Sequence, residues 1–583
     1  MTTSGPHQQA KPEAAPSDSE ASPPTDGSAS DTGSATPSVQ ALGRIATEQF
    51  GIDAWREGQF EALVAAVKGR DVLAVMPTGH GKSLIYQIPG AALPGVTVVV
   101  SPLIALQRDQ AEAINERLGD GRAVALNSAV GARAVREAWA GLDDGGSHFV
   151  FLAPEQLARE ETIERLAALD IRLFVVDEAH CISSWGHDFR SDYLFLGDVA
   201  QRLGAPPVIA LTATASPHTR SEIVERLRLR DPLELVQSFD RPNVELRVIR
   251  HAGDLDKRQA VLDEVAELRG PGLLYVATRR VAEEYADELW QRGLRAEAYH
   301  AGRRAADRTA VHERFLDNQL DVVVATTAFG MGIDKPDVRF VVHADIPDSL
   351  DSYYQEIGRA GRDGGSAIGI LHYRSEDLGL QRFFAGRSFN REDVEAVFRA
   401  VRDRGPLRAA ALRRETELGP RALSRALNLL EHSGGVLGAS RGYRAAPGMS
   451  SERAVELAQA EDESRQRIDE SRVEMARGYA ETDACRRHWL LNYFGEEADA
   501  WCGNCDNCLQ EGSAEKAEQR EAATPDEWSL QTPVRHREWG PGLVMSVEPD
   551  RITVLFESVG YKELALAVID ENEDLLVRED RPE

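Results

Sequence analysis

The 583-residue sequence predicts an α/β protein: two tandem parallel-sheet domains, then a winged-helix-like helical segment, a helical module bearing a cysteine cluster and a small β-barrel. Three observations carry this. Short β-branched runs alternate with helix-period stretches in two successive series, the strands stop after about residue 388, and strand-and-turn grammar resumes late in the chain. A chain this long also exceeds what one core can serve, so several packed units are expected.

Residues 1–40 are Ser, Pro, Thr, Ala and Gly with almost no large apolar side chain, and read as a disordered tail. The first domain, 41–240, carries the runs DVLAVMP, VTVVVSP, HFVFLAP, RLFVVDE and PVIALTA. Each is short, apolar and closed by turn residues, as in a sheet buried on both faces by crossover helices. The second domain, 241–388, repeats the pattern with GLLYVAT, RAEAYHA, DVVVATT and RFVVHAD, after a junction near SFDRPN (Ser238 to Asn243). Residues 389–448 hold three helical patterns and a hairpin-like VLGASRGYRA, which suits a winged helix or a plain helical extension. Residues 449–512 form a charged helix leading to a cysteine cluster, and 526–583 read as a Tudor- or SH3-like barrel.

No window offers the roughly 20 apolar residues that cross a bilayer, and the N-terminus lacks the apolar centre of a secretory signal. A cytoplasmic protein without a membrane partner is expected. Five cysteines are too few for a disulfide scaffold in this length. The net charge of −28 argues weakly against a phosphate-rich partner, because the lining of a groove decides that, not the global sum.

Between a β-run and a helix stands MPTGHGKS (Met76 to Ser83). Met76 replaces the first glycine of the usual phosphate-loop pattern, but Thr78, Gly79, Gly81, Lys82 and Ser83 keep what the chemistry needs. Backbone N–H groups cradle phosphate oxygens, Lys82 reaches the terminal phosphates, and Ser83 offers a Mg²⁺ ligand. RLFVVDEAH brings Asp177 and Glu178 to the same sheet edge, the first to hold Mg²⁺ and the second to orient or deprotonate water. Arg359 and Arg362, three residues apart in YYQEIGRAGRDG, would share one side of a helical turn and stabilise γ-phosphate charge when the domains close.

Trp185, His187, Phe189 and Arg190 follow the carboxylates in one short loop. They either pack the domain or stack on unpaired bases. Cys485, Cys502, Cys505 and Cys508 form a C-x₁₆-C-x₂-C-x₂-C array suited to a closed tetrahedral Zn²⁺ site. Cys181 has no cysteine nearby in sequence and reads as a packed thiol.

The joint set FGIDAWREGQ, MPTGHGKS, VVVSPLIALQRDQ, DEAHCISSWGHDFR, LTATA, SFDRPN, AYHAG, TTAFGMGIDKPDVRFVVH and SYYQEIGRAGRDGG resembles the RecQ family of superfamily-two helicases, over residues 41–385 and again in the cysteine segment. The resemblance implies two RecA-like domains and an ATP- and Mg²⁺-dependent DNA helicase moving 3′ to 5′ on single-stranded and tailed duplex DNA. It also implies a role in repair, recombination or replication-fork maintenance, and a nucleoid-associated location. By it, Gln59 reads adenine with Arg56 nearby, Thr212 and Thr214 link the cleft to DNA, and Asp334 and Gln355 complete the closed nucleotide site. Trp185, His187, Phe189 and Arg190 inherit the role of a loop that couples DNA binding to hydrolysis.

Three features depart from the family pattern. His80 stands where the family usually has Gly, the wing-like segment precedes the zinc array instead of following it, and the C-terminal segment resembles the Tudor-like barrel of some UvrD-type helicases, a module suited to a protein partner. Arg486 and Arg487 either touch DNA or pair with the acidic helix before them. An RNA helicase shares the DEAH and arginine motifs; the aromatic loop and the zinc array speak against it. An interaction protein with a vestigial motor is opposed by the intact Lys82, Asp177, Glu178, Arg359 and Arg362.

Overall fold

The computed structural model describes residues 37–127, 130–183, 190–329, 335–385, 389–439, 442–524, 527–572 and 574–579. The first described helix, Val39–Phe50, starts inside the expected tail. Ser38 caps it by accepting the Ala41 amide at 3.2 Å.

The first sheet holds seven parallel strands: β1 (Val72–Val75), β2 (Val96–Val100), β3 (Ala123–Leu126), β4 (Phe149–Leu152), β5 (Ile171–Val176), β6 (Val208–Thr212) and β7 (Leu233–Val236). Their order is β3-β4-β2-β5-β6-β1-β7. Register fixes the working edge. Val75 pairs with Thr212, and Val176 pairs with both Val100 and Ala210. Whatever follows β1, β2, β5 and β6 is therefore gathered at one carboxyl end, where open α/β sheets bind ligands.

The second sheet has six parallel strands: β8 (Val244–Arg250), β9 (Gly272–Tyr275), β10 (Ala296–Tyr299), β11 (Val322–Ala325), β12 (Phe340–His343) and β13 (Ala367–Tyr373). They lie in the order β10-β11-β9-β12-β13-β8. One apolar core joins both sheets, with Val176 and Phe174 of the first domain and Leu273 and Val341 of the second in the same cluster as Tyr479 and Phe494 further on.

Beyond the sheets come helices Arg391–Arg404, Ala409–Thr416 and Pro420–His432, then a hairpin of β14 (Val436–Ala439) and β15 (Gly442–Ala445). Leu407 and Tyr443 exchange backbone hydrogen bonds of 3.0 and 2.8 Å, adding a third edge to the hairpin. Three helices with a three-stranded edge make a winged-helix arrangement, not a plain helical extension. Its core of Val397, Phe398, Leu412, Leu427 and Leu430 is closed by Ala454, Val455 and Ala458 of the next helix, Ser451–Glu481. That helix has 31 residues, a rod about 46 Å long. Its far end puts Val473, Ala476 and Tyr479 into the core shared by the sheets.

The C-terminal unit is a five-stranded antiparallel sheet of β16 (Pro533–His536), β17 (Gly540–Val547), β18 (Arg551–Phe556), β19 (Gly560–Ala565) and β20 (Leu576–Arg578), ordered β19-β18-β17-β16-β20. It wraps a core of its own around Val534, Val544, Val554, Phe556 and Ile569. One side is already occupied by the chain itself. Tyr561 stacks on Tyr493 at 5.3 Å, and a Cβ at Gly560 would lie 2.1 Å from Ser471 Oγ of the long helix. No described helix is long and apolar enough to cross a membrane.

Candidate functional site

The loop after β1 is shaped by two glycines in the left-handed region, Gly79 at φ +81° and Gly81 at φ +75°. Space adds a second constraint, since a Cβ at Gly81 would lie 2.7 Å from Gln59 Nε2. Among the described residues, the amides of Gly79, Gly81, Lys82 and Ser83 donate to no protein acceptor. The loop thus presents the unpaired N–H groups that an anion requires. Lys82 Nζ donates to Met76 O at 2.9 Å, and the helix Leu84–Ala92 follows Ser83.

Arg56 and Gln59 grip the same loop. Gln59 Nε2 donates to His80 O at 2.7 Å while its Oε1 accepts the Arg56 amide at 2.9 Å, and Arg56 Nη1 donates to Gly79 O at 3.0 Å. Both ends of the Gln59 amide are engaged with protein in this arrangement. His80 Nδ1 lies 3.1 Å from Gln237 Oε1, and Gln237 Nε2 donates to Glu57 O at 2.8 Å. Because the Gln237 amide nitrogen is committed to Glu57, its oxygen accepts, so His80 carries its proton on Nδ1. Burial lowers the His80 pKa and keeps the ring neutral, with Arg56, Arg241 and Lys82 adding to the effect.

β5 delivers the two carboxylates. Asp177 Oδ1 accepts the Glu178 amide at 3.0 Å, Ser101 Oγ donates to Oδ2 at 3.4 Å, and Tyr193 OH donates to the Asp177 carbonyl at 3.0 Å. Burial pushes the Asp177 carboxyl up and the Lys82 amine down; Lys82 opposes the first, Glu178 and Asp177 oppose the second, and Arg362 of the second domain adds to the lowering of Lys82. Glu178 sits at φ 49°, ψ 48°, a left-handed conformation that costs a non-glycine residue about 1–2 kcal/mol. Such local strain is held by surrounding structure. Here the carbonyls on either side are pinned, Asp177 O by Tyr193 and Glu178 O by the Cys181 amide at 2.9 Å.

From Glu178 a chain of contacts crosses to the second domain. Glu178 Oε2 lies 3.3 Å from His180 Nδ1, which lies 2.8 Å from Thr212 Oγ1. Thr212 Oγ1 donates to Thr214 O at 2.9 Å, and Gln355 Nε2 donates to Thr214 Oγ1 at 2.9 Å. Since the one Thr212 hydroxyl proton is spent on Thr214 O, Thr212 accepts from His180. The imidazole proton is therefore on Nδ1, where it also faces Glu178. His180 was legible within DEAH, but its partner Thr212 lies 32 residues away and needed the β5–β6 neighbourhood to be seen.

Gln355 lies on the helix Leu350–Ile357, which ends before the two arginines. The expected helical presentation of Arg359 and Arg362 is corrected accordingly: both stand in the turns after Ile357. Arg362 Cδ lies 3.4 Å from where a Gly79 Cβ would be, over the phosphate loop, whereas Arg359 is buried beside Tyr275. The linker holds these turns. Arg241 Nη1 donates to Gly358 O at 3.0 Å and Nη2 to Ala360 O at 2.8 Å, and Asn243 Nδ2 donates to Gly361 O at 2.8 Å. Both residues stand in SFDRPN, so the signal was present although its role was not.

Trp185, His187, Phe189 and Asp334 lie outside the described residues. Arg190 is described: its amide donates to Cys181 O at 2.9 Å and its Nη1 to Pro102 O at 3.1 Å, tying the aromatic loop's end to the turn after β2. Cys181 is a fully buried, packed thiol.

The four sulfurs of Cys485, Cys502, Cys505 and Cys508 lie within 4.8 Å of one another. Cys502 and Cys508 are 3.9 Å apart, close to the ~3.8 Å that two thiolates spanning a tetrahedral zinc at ~2.3 Å would show. The donor set fits Zn²⁺. Arg486 and Arg487, open between DNA contact and pairing with the acidic helix before them, are both buried and paired inside the protein, with acids that lie outside that helix. Arg486 Nε donates to Asp506 at 2.5 Å and its Nη1 to Tyr479 O at 2.7 Å; Arg487 Nη1 donates to Asp240 at 2.5 Å. The cysteine module thereby clasps the interdomain linker. Glu496 accepts from Ser238 Oγ at 2.6 Å and the Phe239 amide at 2.7 Å, and Phe494 stacks on Phe239 at 4.6 Å.

Comparison with known proteins gives three family matches along the chain: DEAD/DEAH box helicase over residues 56–223, helicase conserved C-terminal domain over 256–364, and RecQ zinc-binding over 449–509. The probable ATP-dependent DNA helicase RecS of Bacillus subtilis is 37% identical over 492 residues, covering 82% of this chain and 95% of that protein. The ATP-dependent DNA helicase RecQ of the same organism is 33% identical over 469 residues, covering 80% of this chain and 66% of that longer protein. Among solved structures, the Mycobacterium smegmatis helicase Lhr bound to ssDNA and AMP-PNP matches with a TM-score of 0.47 and 22% identity, over 73% of this chain and 62% of that one.

Proposed function

The chain belongs to the RecQ family of ATP-dependent DNA helicases, and we propose that it couples ATP hydrolysis in the cleft to 3′ to 5′ movement on single-stranded DNA and to unwinding of tailed duplexes. The observation that carries the coupling is the run of contacts Glu178–His180–Thr212–Thr214–Gln355, which joins the hydrolytic carboxylate to the second domain.

In this reading Thr78, Gly79, Gly81, Lys82 and Ser83 hold the phosphates, and Arg56 and Gln59 meet the base once Gln59 releases the loop carbonyls. Ser83 and Asp177 would hold Mg²⁺, which when bound neutralises phosphate charge. Glu178 accepts the proton of the attacking water, with His180 fixing the carboxylate's direction. Arg362, already over the loop, and Arg359 meet the charge that develops on the γ-phosphate, so hydrolysis depends on how the domains are set. Asp334 and Gln355 close the site from the second domain. Trp185, His187, Phe189 and Arg190 stack on and steer the single strand, and a shift of that segment reaches Glu178 through the short span that precedes it. Zn²⁺ on the four cysteines is structural, locking the module that clasps the linker.

The protein acts in the cytoplasm at the nucleoid, in repair, recombination or fork maintenance, and the free side of the C-terminal barrel takes a protein partner. An RNA helicase would share the cleft but not the zinc module. Strand displacement on DNA and RNA duplexes with 3′ or 5′ single-stranded tails tests this. Unwinding of 3′-tailed DNA is expected, whereas RNA-only or 5′-tail-only activity would refute it.

A further inference from the structure

We propose that His80 is a positioning residue for ATP: through Gln237 its ring ties the phosphate loop to segment 56–59, and this tie holds the two together when Gln59 leaves the loop for the base. The proposal deepens the helicase reading at one point and rests on it, through the assignment of Gln59 to adenine.

Two sets of contacts join segment 56–59 to the phosphate loop, and they differ in what ATP does to them. In the first, Gln59 Nε2 donates to His80 O at 2.7 Å and reaches Gly81 O at 3.4 Å, and Arg56 Nη1 donates to Gly79 O at 3.0 Å. These contacts use the side chains that meet the base, so the Gln59 contacts are given up when the base arrives. In the second, His80 Nδ1 donates to Gln237 Oε1 at 3.1 Å, and Gln237 Nε2 donates to Glu57 O at 2.8 Å. That path spends no group assigned to base or phosphate, so it survives the exchange. It supports the loop from the side just as the His80 and Gly81 carbonyls lose their donor.

Gln237 is a fixed anchor for such a tie. It follows β7 directly, and its own amide donates to Val75 O at 2.9 Å. The next two residues are held by Glu496, at Ser238 Oγ and at the Phe239 amide. Segment 56–59 is seated on the same strand, since a Cβ at Gly58 would lie 2.1 Å from Leu235 Cδ1. Groups already held in place lose little freedom on bonding, so more of the hydrogen bond's worth reaches the ligand.

The backbone admits a side chain at position 80. The left-handed positions of the loop are Gly79 and Gly81, and His80 between them is not one of the positive-φ residues. The glycine usual in the family at this position is therefore not required by the turn. What a glycine would lack is a donor that reaches Gln237.

The test is equilibrium binding of a fluorescent ATP analogue to the full chain without DNA, with steady-state ATPase on single-stranded DNA beside it. Wild type is compared with His80→Ala, His80→Asn, Gln237→Ala and the double variant His80→Ala/Gln237→Ala. His80→Ala should weaken nucleotide binding and raise KM for ATP by about 3- to 10-fold, the loss of one hydrogen bond, while kcat stays within about twofold. His80→Asn places an amide N–H near the position of Nδ1 and should return to within about twofold of wild type. The double variant should bind no more weakly than the weaker single one, because either substitution alone cuts the tie. Wild-type affinity in His80→Ala would overturn the proposal. So would His80→Asn that binds no better than His80→Ala, or losses that multiply in the double variant. Nucleotide binding is read without DNA, so it decides the tie even where wild type shows no DNA-stimulated ATPase, a result that would refute the helicase reading instead.

Discussion

Thr212→Val isolates the link between the two domains with little change of volume. Thr212 is fully buried, and its hydroxyl makes three contacts: it accepts from His180 Nδ1 at 2.8 Å, donates to Thr214 O at 2.9 Å and takes the Thr214 amide at 3.3 Å. Valine leaves the His180 N–H without its nearest acceptor in a buried site, a cost of about 1–3 kcal/mol. If the active arrangement of Glu178 depends on that ring, the cost appears in the transition state as a roughly 5- to 150-fold fall in turnover. Thr212 touches none of the loop atoms that hold phosphate, so KM for ATP should stay within about twofold. Thr214→Val makes the internal comparison. It removes only the acceptor of Gln355 and leaves His180 satisfied, so about 1 kcal/mol, or about fivefold, is expected. The assays are steady-state ATPase with saturating single-stranded DNA and strand displacement on a 3′-tailed duplex. Wild-type turnover and unwinding in Thr212→Val would reduce the contact chain to packing.

Cys502→Ser should lower bound zinc and melting temperature together, because the cysteine module clasps Ser238, Phe239 and Asp240 of the linker; wild-type protein free of zinc by metal analysis would end that account. His372 is buried on β13 and held at about 3 by burial, with His251 and Lys257 adding. The folded protein therefore binds fewer protons than the unfolded chain, and the associated stability, full above about pH 6.5, falls by about 2 kcal/mol at pH 5 and further toward pH 3. Thermal melts at pH 7 and pH 5 should show a smaller acid loss in His372→Asn, and an identical loss would refute it.

The parts of the fold that were legible were those whose burial is uniform. β1, β2 and β4 are buried at every position, and their apolar runs announce strands directly. β7 reads LELV and β8 reads VELRVIR, with alternating burial because each is an edge strand with one wetter face. Such alternation is weak in four to seven residues, and both were missed. β13 was hidden differently: AIGILHY carries a glycine and follows the Gly-rich GRDGGS, so it reads as loop until its pairing with β8 and β12 is known.

At the site, residues in a fixed local spacing could be picked out in the sequence, Lys82 with Ser83, Asp177 with Glu178, and the cysteines, and the structure brings Lys82 within electrostatic reach of the two carboxylates and the four sulfurs together. Residues acting through another could not be picked out. Arg241 and Asn243 hold the arginine turns, and Glu496 holds the linker, from 117 to 257 positions away. Arg486 and Arg487 stood between two readings, DNA contact or pairing with the acidic helix, because the acids that hold them, Asp506 and Asp240, are brought to them only by the fold.

The claim that the cleft is a hydrolytic motor driven by one carboxylate rests on Glu178, and Glu178→Gln tests it most directly. Gln keeps the side chain's size and its oxygen but cannot accept the water's proton. ATP binding, followed with a fluorescent nucleotide, should be retained while single-turnover hydrolysis on DNA falls about 100- to 10,000-fold. Near-normal hydrolysis in that variant would contradict the assignment of the base.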